Sequence, residues 1–454
     1  MTDEQPADAT PAPGLTRHPR GIAILAATEL AERFSYYGMT ALLTLYMVKQ
    51  LFLPGHVEQV VGLATLRHAF EFRGAMSDVA FASLIYGWYG GLVYFTPLGG
   101  GWLADRVLGP RRTVILGALL MTGGHLAMAF DQSFLLALLL LILGSGCLKG
   151  NLAAQVGSLY PATSSSLRDR GFTIFSTAIN IGAVAGPLAT GAVAETQGYH
   201  AGFTLAAGLM LVALAVYLFG QRLLPASFAK PTAQTVSVPL TPPERRRVLA
   251  IAAIILLNVP TAIAYSMIWS IGILWIDGHV SLATPLGAVP PSWFNSVDSF
   301  ASIVVVPPLV ALWAWQARRG REPDGITKVA LGFLFTALSA LFFVAAALLP
   351  DATGKASVLW PLAGFFGMGF AFMYYWPVTL SLVAEAAPVR ISARLMSAAY
   401  LALFAGTVLM GWVGSFYDQM DQTSFWLLDG SFALVGAALT FALRRPINAA
   451  LAAS

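Results

Sequence analysis

Hydrophobic residues in this chain come in long runs, each ended by charged, proline or glycine-rich residues. A run of roughly 20 apolar residues is the length that crosses a bilayer's hydrocarbon core as a helix. Such runs fall near 21–48, 79–104, 112–130, 133–157, 171–196, 202–223, 248–276, 291–316, 326–349, 358–383, 393–417 and 424–443. They predict an all-α polytopic membrane protein of about twelve transmembrane helices. The long polar break near the middle, with Pro225, Lys230, Pro231, Pro239, Pro242 and Arg245 to Arg247, divides them into two sets of six. The expected organisation is a cytoplasmic disordered tail over 1–20, a six-helix bundle over 21–223, a cytoplasmic linker over 224–247, a second bundle over 248–445 and a cytoplasmic tail over 446–454. The first outward loop, 50–78, has room for a short surface helix near 57–69.

Composition agrees: 57% of the 454 residues are hydrophobic and 11% charged, against roughly 25% charged in soluble domains. The loop charges set the orientation. Alternate loops hold Arg17, Arg20, Arg106, Arg111, Arg112, Arg168, Arg170, Arg222, Lys230, Arg245 to Arg247, Arg318, Arg319, Arg321, Lys328, Arg390, Arg394, Arg444 and Arg445; the others hold only Lys49, Arg67, Arg73 and Lys355. The positive-inside rule then puts both termini in the cytoplasm of an inner (plasma) membrane. These basic loops read as topology signals, not as a nucleic-acid surface. The N-terminus lacks the charged, apolar and cleavage regions of a signal peptide. The single cysteine, Cys147, lies in an apolar run and reads as packing. The six histidines lie mostly in or near loops, and no His, Cys and Asp cluster at metal-ligand spacing appears. An enzyme would need such a cluster or a nucleophile–base pair, so none is expected here.

Three charges interrupt the first apolar run: Glu29, Glu32 and Arg33. On a helix Glu29 is one turn from both others, so they can pair. Charged groups at mid-bilayer cost roughly 2.5–3.5 kcal/mol each on insertion scales, so they mark function. Lys149, in the fourth run, is too deep to snorkel, and Glu29 and Glu32 are its available partners; a purely structural ion pair is the alternative. Asp298 lies roughly two turns, ~10 Å, past the start of the eighth helix at Pro291. It reads either as a second-half functional acid or as a helix-N-terminal carboxylate favoured by the dipole. Tyr36, Tyr37, Tyr89, Tyr94 and Asn180 in the first half, and Trp269, Tyr374, Tyr375 and Trp376 in the second, suit a wet, substrate-sized cavity. Between the second and third runs, Asp105, Arg106, Arg111 and Arg112 flank a tight turn after Gly99 to Gly101 and form a charge cluster at the cytoplasmic face, on its own an ordinary helix-end ion cluster worth about 0–1 kcal/mol.

Two six-helix halves with this loop resemble the major facilitator superfamily. More narrowly, Glu29-x-x-Glu32-Arg33-Phe34-x-Tyr36-Tyr37-Gly38, Gly101-Trp102-Leu103-Ala104-Asp105-Arg106-x-x-Gly109-x-Arg111-Arg112-Thr113, Leu148-Lys149-x-Asn151 and Phe172-Thr173-Ile174-Phe175-x-x-x-Ile179-Asn180-Ile181-Gly182 resemble the proton-coupled oligopeptide transporter family. So do Pro291-Ser292-Trp293-Phe294-x-Ser296-Val297, Arg318-Arg319-Gly320-Arg321-Glu322-Pro323 and Ala387-Pro388-x-Arg390-x-x-Ala393-x-x-Met396. The resemblance implies a monomer in the lipid bilayer that imports di- and tripeptides with protons by alternating access and needs no cofactor. On matching positions, Arg33 would hold the peptide carboxylate beside Lys149. Glu29 and Glu32 would exchange protons and pair with Lys149, and Tyr36 and Asn180 would contact the peptide backbone. The charge cluster would be a gate that latches the outward-facing state.

The chain departs from that pattern where the amine should bind. Ser266 stands where the family has a seventh-span acid, Phe372 where it has a tenth-span glutamate, Thr40 for a second basic residue, Ser176 for a tyrosine, and Asp298 where asparagine is common. The expectation is therefore a peptide or peptide-like symporter in which Asp298 supplies the missing negative charge. The alternatives are a carrier of another anionic or carboxylate-bearing solute, such as nitrate or a modified amino acid, with altered or no proton coupling, and a non-transporting membrane sensor.

Overall fold

The computed structural model describes residues 17–161, 164–225, 240–284, 287–388 and 391–452. The expected tail over 1–16, most of the central linker and Arg390 lie outside the described residues. The chain is almost wholly helical. Its first part runs through α1 (Gly21–Tyr46), the short α2 (Leu63–Phe70), α3 (Asp78–Phe95), α4 (Pro97–Leu103), α5 (Pro110–Ala127), α6 (Phe134–Ser158), α7 (Ser165–Gln197) and α8 (Tyr199–Gly220). The second part runs through α9 (Pro242–Met267), α10 (Ile273–His279), the two-residue strands β1 (Ala283–Thr284) and β2 (Gly287–Ala288), α11 (Phe294–Val304), α12 (Val306–Arg318), α13 (Gly325–Leu348), α14 (Leu359–Ala386), α15 (Ser392–Gly414) and α16 (Gln422–Leu451). Counting α3–α4, α9–α10 and α11–α12 as single rods, and leaving out the short α2, gives the expected twelve. Among the described residues ten are long and apolar enough to cross a membrane. The other two are α1, interrupted by its charge triplet, and α5, which opens on Arg111 and Arg112.

Local chemistry sets the breaks. Proline lacks an N–H donor and favours the first helical turn, so Pro97 opens α4 directly after Thr96. Thr96 donates its hydroxyl to Leu92 O and to Ile142 O on α6, tying the joint down. A capping box joins Thr241 and Glu244 at the start of α9. Residues 242–247, expected in the linker, are therefore helix. The expected tail from 446 is likewise helix, because α16 continues through Pro446 to Leu451. α7 begins at Ser165, ahead of its apolar run; Arg168 and Arg170 are exposed on this extension. Hydropathy marks only the part of a helix that needs lipid. In the first loop a 3₁₀ turn (Val57–Gln59) and α2 replace the single surface helix expected near 57–69.

Up to α8, α1 packs on α7 and α8, and α5 on α6 and α8; after the linker, α9 packs on α15 and α16, and α13 on α14 and α16. The two halves meet along α3 with α15 and along α7 with α11. The first seam depends on glycine. A Cβ on Gly87 would stand 2.7 Å from Gly411 Cα, and one on Gly91 2.6 Å from a Val408 methyl. Gly87→Leu is expected to destabilise the fold by about 1–3 kcal/mol, the usual cost of overpacking. Gly99→Leu, where nothing lies within 4 Å, should be neutral. Thermal unfolding in detergent compares the two.

Every polar link between the halves among the described residues lies at one end or near mid-height. Lys49 Nζ pairs with Asp277 at 2.8 Å. Ser77 donates to Asp418. Trp293 Nε1 donates to Leu188 O (2.9 Å) and Ser296 Oγ to Val184 O (2.7 Å). Deeper, Thr44 and Ser270 hydroxyls are 3.4 Å apart. No such bond joins the halves at the opposite, arginine-rich end among the described residues. The Lys49 end is the closed one.

Candidate functional site

α1 carries the charge triplet to the middle of the bundle, where Arg33 pairs with both glutamates. Glu29, Glu32 and Arg33 are 3%, 0% and 5% exposed. Arg33 Nε donates to Glu29 Oε1 at 2.8 Å, the i, i+4 spacing expected of a helix, and lies 2.6 Å from Glu32 Oε2. Glu29 Oε2 and both Glu32 oxygens have no hydrogen-bond partner among the described residues. The guanidinium lies 5.7 Å from the centre of the Tyr36 ring. α7 is pressed against this segment at a glycine: a Cβ on Gly182 would stand 2.6 Å from Leu30 O and 2.8 Å from Arg33 Cβ.

Lys149 is half-buried on α6 beside this cluster. Its expected pairing with Glu29 and Glu32 is absent: among the described residues it makes no ion pair. Its ammonium lies over the Tyr36 ring at 4.8 Å and the Tyr94 ring at 4.9 Å. Cation–π contact of this kind stabilises a desolvated ammonium by up to about 2 kcal/mol. Arg33 has taken both carboxylates, and two tyrosine faces hold the lysine instead.

Beyond Tyr36, toward the closed end, a cavity of about 230 Å³ lies between the halves. Of the residues singled out from sequence, Tyr36, Tyr37, Tyr94, Asn180, Ser266, Asp298 and Phe372 line it. Thr40 and Trp269 do too, with Tyr37 and Trp269 rings 5.8 Å apart across the seam. Glu29, Glu32, Arg33 and Lys149 are not in the lining; Tyr36 lies between the two cations and the cavity. Tyr89 is a correction: it is 2% exposed, outside the lining, with its hydroxyl buried in the core.

Asp298 is 2% exposed and lines the cavity, which excludes the interfacial reading. Tyr265 Oη donates to its Oδ2 at 2.8 Å, while Oδ1 has no hydrogen-bond partner among the described residues. α14 approaches behind it at Gly369, where a Cβ would meet Asp298 O at 2.4 Å. The Tyr265 ring stacks on Phe372 (centroids 4.9 Å, 21° between planes), and Phe372 stacks on Trp376. Ser266 Oγ is 3.3 Å from Thr407 Oγ1. At both positions where an acid was missing from sequence the wall is thus uncharged. Sequence reasoning missed Tyr265, Tyr86 and Thr407 in the lining. Tyr265 directly precedes Ser266, and like Tyr86 and Thr407 it offers only a hydroxyl in an apolar span as a signal.

The expected gating cluster is dispersed here. Asp105, Arg106 and Arg112 are exposed. Arg111 Nη2 donates to Gln221 O (3.1 Å) and Leu224 O (2.6 Å), two carbonyls just after α8. His125, unlike the loop histidines, is fully buried inside α5. Among the described residues no group of three or more His, Cys, Asp or Glu could hold a metal ion.

A family model described as the POT family matches residues 111–231 and 231–427. The chain is 28% identical to a di-/tripeptide transporter of Lactococcus lactis subsp. cremoris, over 94% of this chain and 96% of that one. It is 26% identical to a peptide transporter of Yersinia enterocolitica, over 92% of each. A crystal structure of a peptide transporter, POT, in complex with sulfate superposes with a TM-score of 0.81 at 27% identity, covering 97% of both chains. The same protein in mutant form has been crystallised with alafosfalin, at TM-score 0.81. These likenesses bear out the all-helical fold with two six-helix bundles.

Proposed function

The chain is an integral membrane protein of the POT family of peptide transporters, and from that premise we propose that it carries di- and tripeptides, or peptide-like solutes, together with protons by alternating access. The observation that carries this reading is the cavity itself. It is closed at the Lys49 end, backed by Arg33 and Lys149 on one side and faced by Asp298 on the other. A carboxylate on one wall, with cations behind Tyr36 on the other, suits a zwitterion.

In this mechanism a peptide carboxylate displaces or joins the glutamates on Arg33, and Lys149 draws toward it. Tyr36 and Asn180 bond the peptide backbone. The ammonium reaches the unpartnered Oδ1 of Asp298, which stands in for the acids absent at Ser266 and Phe372. Protons enter on Glu29, Glu32 or Asp298, and no other cofactor is needed. Moving two packings from 1:99 to 99:1 takes about 5.5 kcal/mol of differential binding, and breaking a buried ion pair changes the energy by a comparable 3–5 kcal/mol. The halves over 21–223 and 248–445 rock about the cavity, with the arginine-rich loops and both termini cytoplasmic. Asp105, Arg106, Arg111 and Arg112 re-form their cluster when the arginine-rich end closes. The chain acts as a monomer in the inner membrane.

One observation favours a second reading, carriage of a different carboxylate-bearing or anionic solute with weak proton coupling: two wall positions expected to be acidic are Ser266 and Phe372. Uptake into proteoliposomes decides between them. Dialanine should accumulate when the inward proton gradient is imposed, and nitrate and free amino acids should not. Gradient-independent nitrate uptake with no peptide accumulation would sink the first reading.

A further inference from the structure

α12 is packed along one row only. Of its thirteen residues, Leu309 alone is buried. Val305, just before the helix, Leu309 and Trp313 form that row, against Tyr374 of α14 and side chains of α13. The rest of the surface is open. Pro308, Leu312, Trp315 and Arg319, all exposed, follow one another at i, i+4, i+7 and i+11 and so share a second face of the helix. At ~1.5 Å per residue α12 is about 20 Å long, enough to run through one leaflet of a hydrocarbon core ~30 Å thick.

An open apolar face is ordinary where a helix meets lipid, but its arginine-rich end is shaped. Arg321 N–H donates to Gln316 O (2.9 Å) and Gly320 N–H to Ala317 O (3.0 Å), with Gly320 at φ 63°. This is a Schellman turn. It satisfies the last carbonyls with backbone donors, so the side chains of Arg318, Arg319 and Arg321 are not needed to cap them, and it gathers the three within one turn. All three are exposed, and none makes an ion pair among the described residues. The acids that follow are engaged elsewhere: Glu322 pairs with Lys328, and Asp324 accepts from Thr327 and Asn448. The Arg319 guanidinium lies 4.1 Å from the centre of the Trp315 ring. That stacking holds the group by its face and leaves its in-plane N–H donors free for a phosphate.

We propose that the end of α12 is a binding site for an anionic phospholipid of the adjoining leaflet. Arg318, Arg319 and Arg321 take the phosphodiester headgroup, and the acyl chains lie along Trp315, Leu312 and Pro308. Charge complementarity selects the headgroup, and the tryptophan marks the depth at which such rings sit between hydrocarbon and water. The site is independent of the solute carried and of Asp298.

Trp315 itself is the reporter. Full-length protein is reconstituted in phosphatidylcholine nanodiscs, and a rising fraction of the lipid is replaced by phosphatidylglycerol or phosphatidylcholine with brominated chains. The signal of the site is the tryptophan quenching that Trp315→Phe removes. Brominated phosphatidylglycerol should half-quench it at a mole fraction roughly a hundredfold below brominated phosphatidylcholine, three arginines at about fivefold each, the equivalent of ~1 kcal/mol per basic residue. Arg318→Gln, Arg319→Gln and Arg321→Gln should each weaken the preference by about fivefold, and together they should abolish it. Arg444→Gln with Arg445→Gln removes two other exposed arginines and should leave the preference unchanged. Glycerol phosphate added in solution should not relieve the quenching. Equal quenching by the two lipids, or the same loss in the Arg444 and Arg445 variant, overturns the proposal, and relief by glycerol phosphate overturns the assignment to a lipid.

Discussion

Arg33→Met is expected to abolish uptake and to destabilise the protein by about 3–5 kcal/mol, the usual result of removing one side of a buried ion pair. Two carboxylates, not one, depend on this guanidinium. Among the described residues Glu29 Oε2 and both Glu32 oxygens already lack a hydrogen-bond partner, and Lys149 makes no ion pair that would take over. Adding Glu29→Gln and Glu32→Gln to Arg33→Met should recover most of the stability, since a neutral amide costs less to bury than an orphaned carboxylate. It should recover none of the transport. Arg33→Lys keeps the charge but not the planar fork that matches a carboxylate, so it should fold and raise KM. Thermal unfolding in detergent and dialanine uptake measured on the same preparations separate the two effects. A stable, inactive Arg33→Met would show that the glutamates find other support.

Asp298→Asn is expected to fold normally and to lose concentrative uptake by on the order of 100-fold, the scale of losing one side of a buried charge pair, 2–5 kcal/mol. The substitution keeps volume, and an amide oxygen can still accept from Tyr265 Oη. What disappears is the charge facing the cavity. Two readouts tell its roles apart. If Asp298 carries the coupling proton, exchange of peptide across the membrane without a gradient survives the substitution. If it holds the ammonium, exchange is lost as well, while an analogue with a carboxylate and no amine is carried as before. Gradient-driven dialanine accumulation at the wild-type level in Asp298→Asn would remove Asp298 from the mechanism.

The architecture was legible because lipid imposes a length on apolar runs, and that length is visible in one dimension. The α1 cluster was legible for the complementary reason: charges are too costly in such a run to be incidental. What escaped depends on rotation about helix axes. Tyr89 and Tyr86 lie three residues apart on α3, yet only Tyr86 reaches the cavity. Apolarity all round α3 hides which side faces which neighbour. Lys149 was assigned to the glutamates because opposite charges attract; the structure gives them to Arg33, closer along the same helix, and leaves the lysine to aromatic faces that no charge count reveals. Tyr265 escaped because a tyrosine in an apolar span is usually packing, and its value rests on Asp298, 33 residues away. The helix ends were misjudged wherever a helix continues beyond its apolar part, as α16 does past Pro446.

The π-helical turns at Met47–Leu51, Ala104–Leu108 and Ile268–Gly272 each accommodate about one more residue than an α-helical turn. They are therefore the places where chain length can change while side-chain direction is kept. Loss of one residue inside Met47–Leu51 would let the helix close into regular α geometry and leave the chain beyond it on nearly its present bearing, because the turn gives up only its surplus residue. The same holds at Ala104–Leu108. Each end of this carrier can thus absorb a single-codon deletion, a change that would leave the Arg33 cluster and the Asp298 wall untouched.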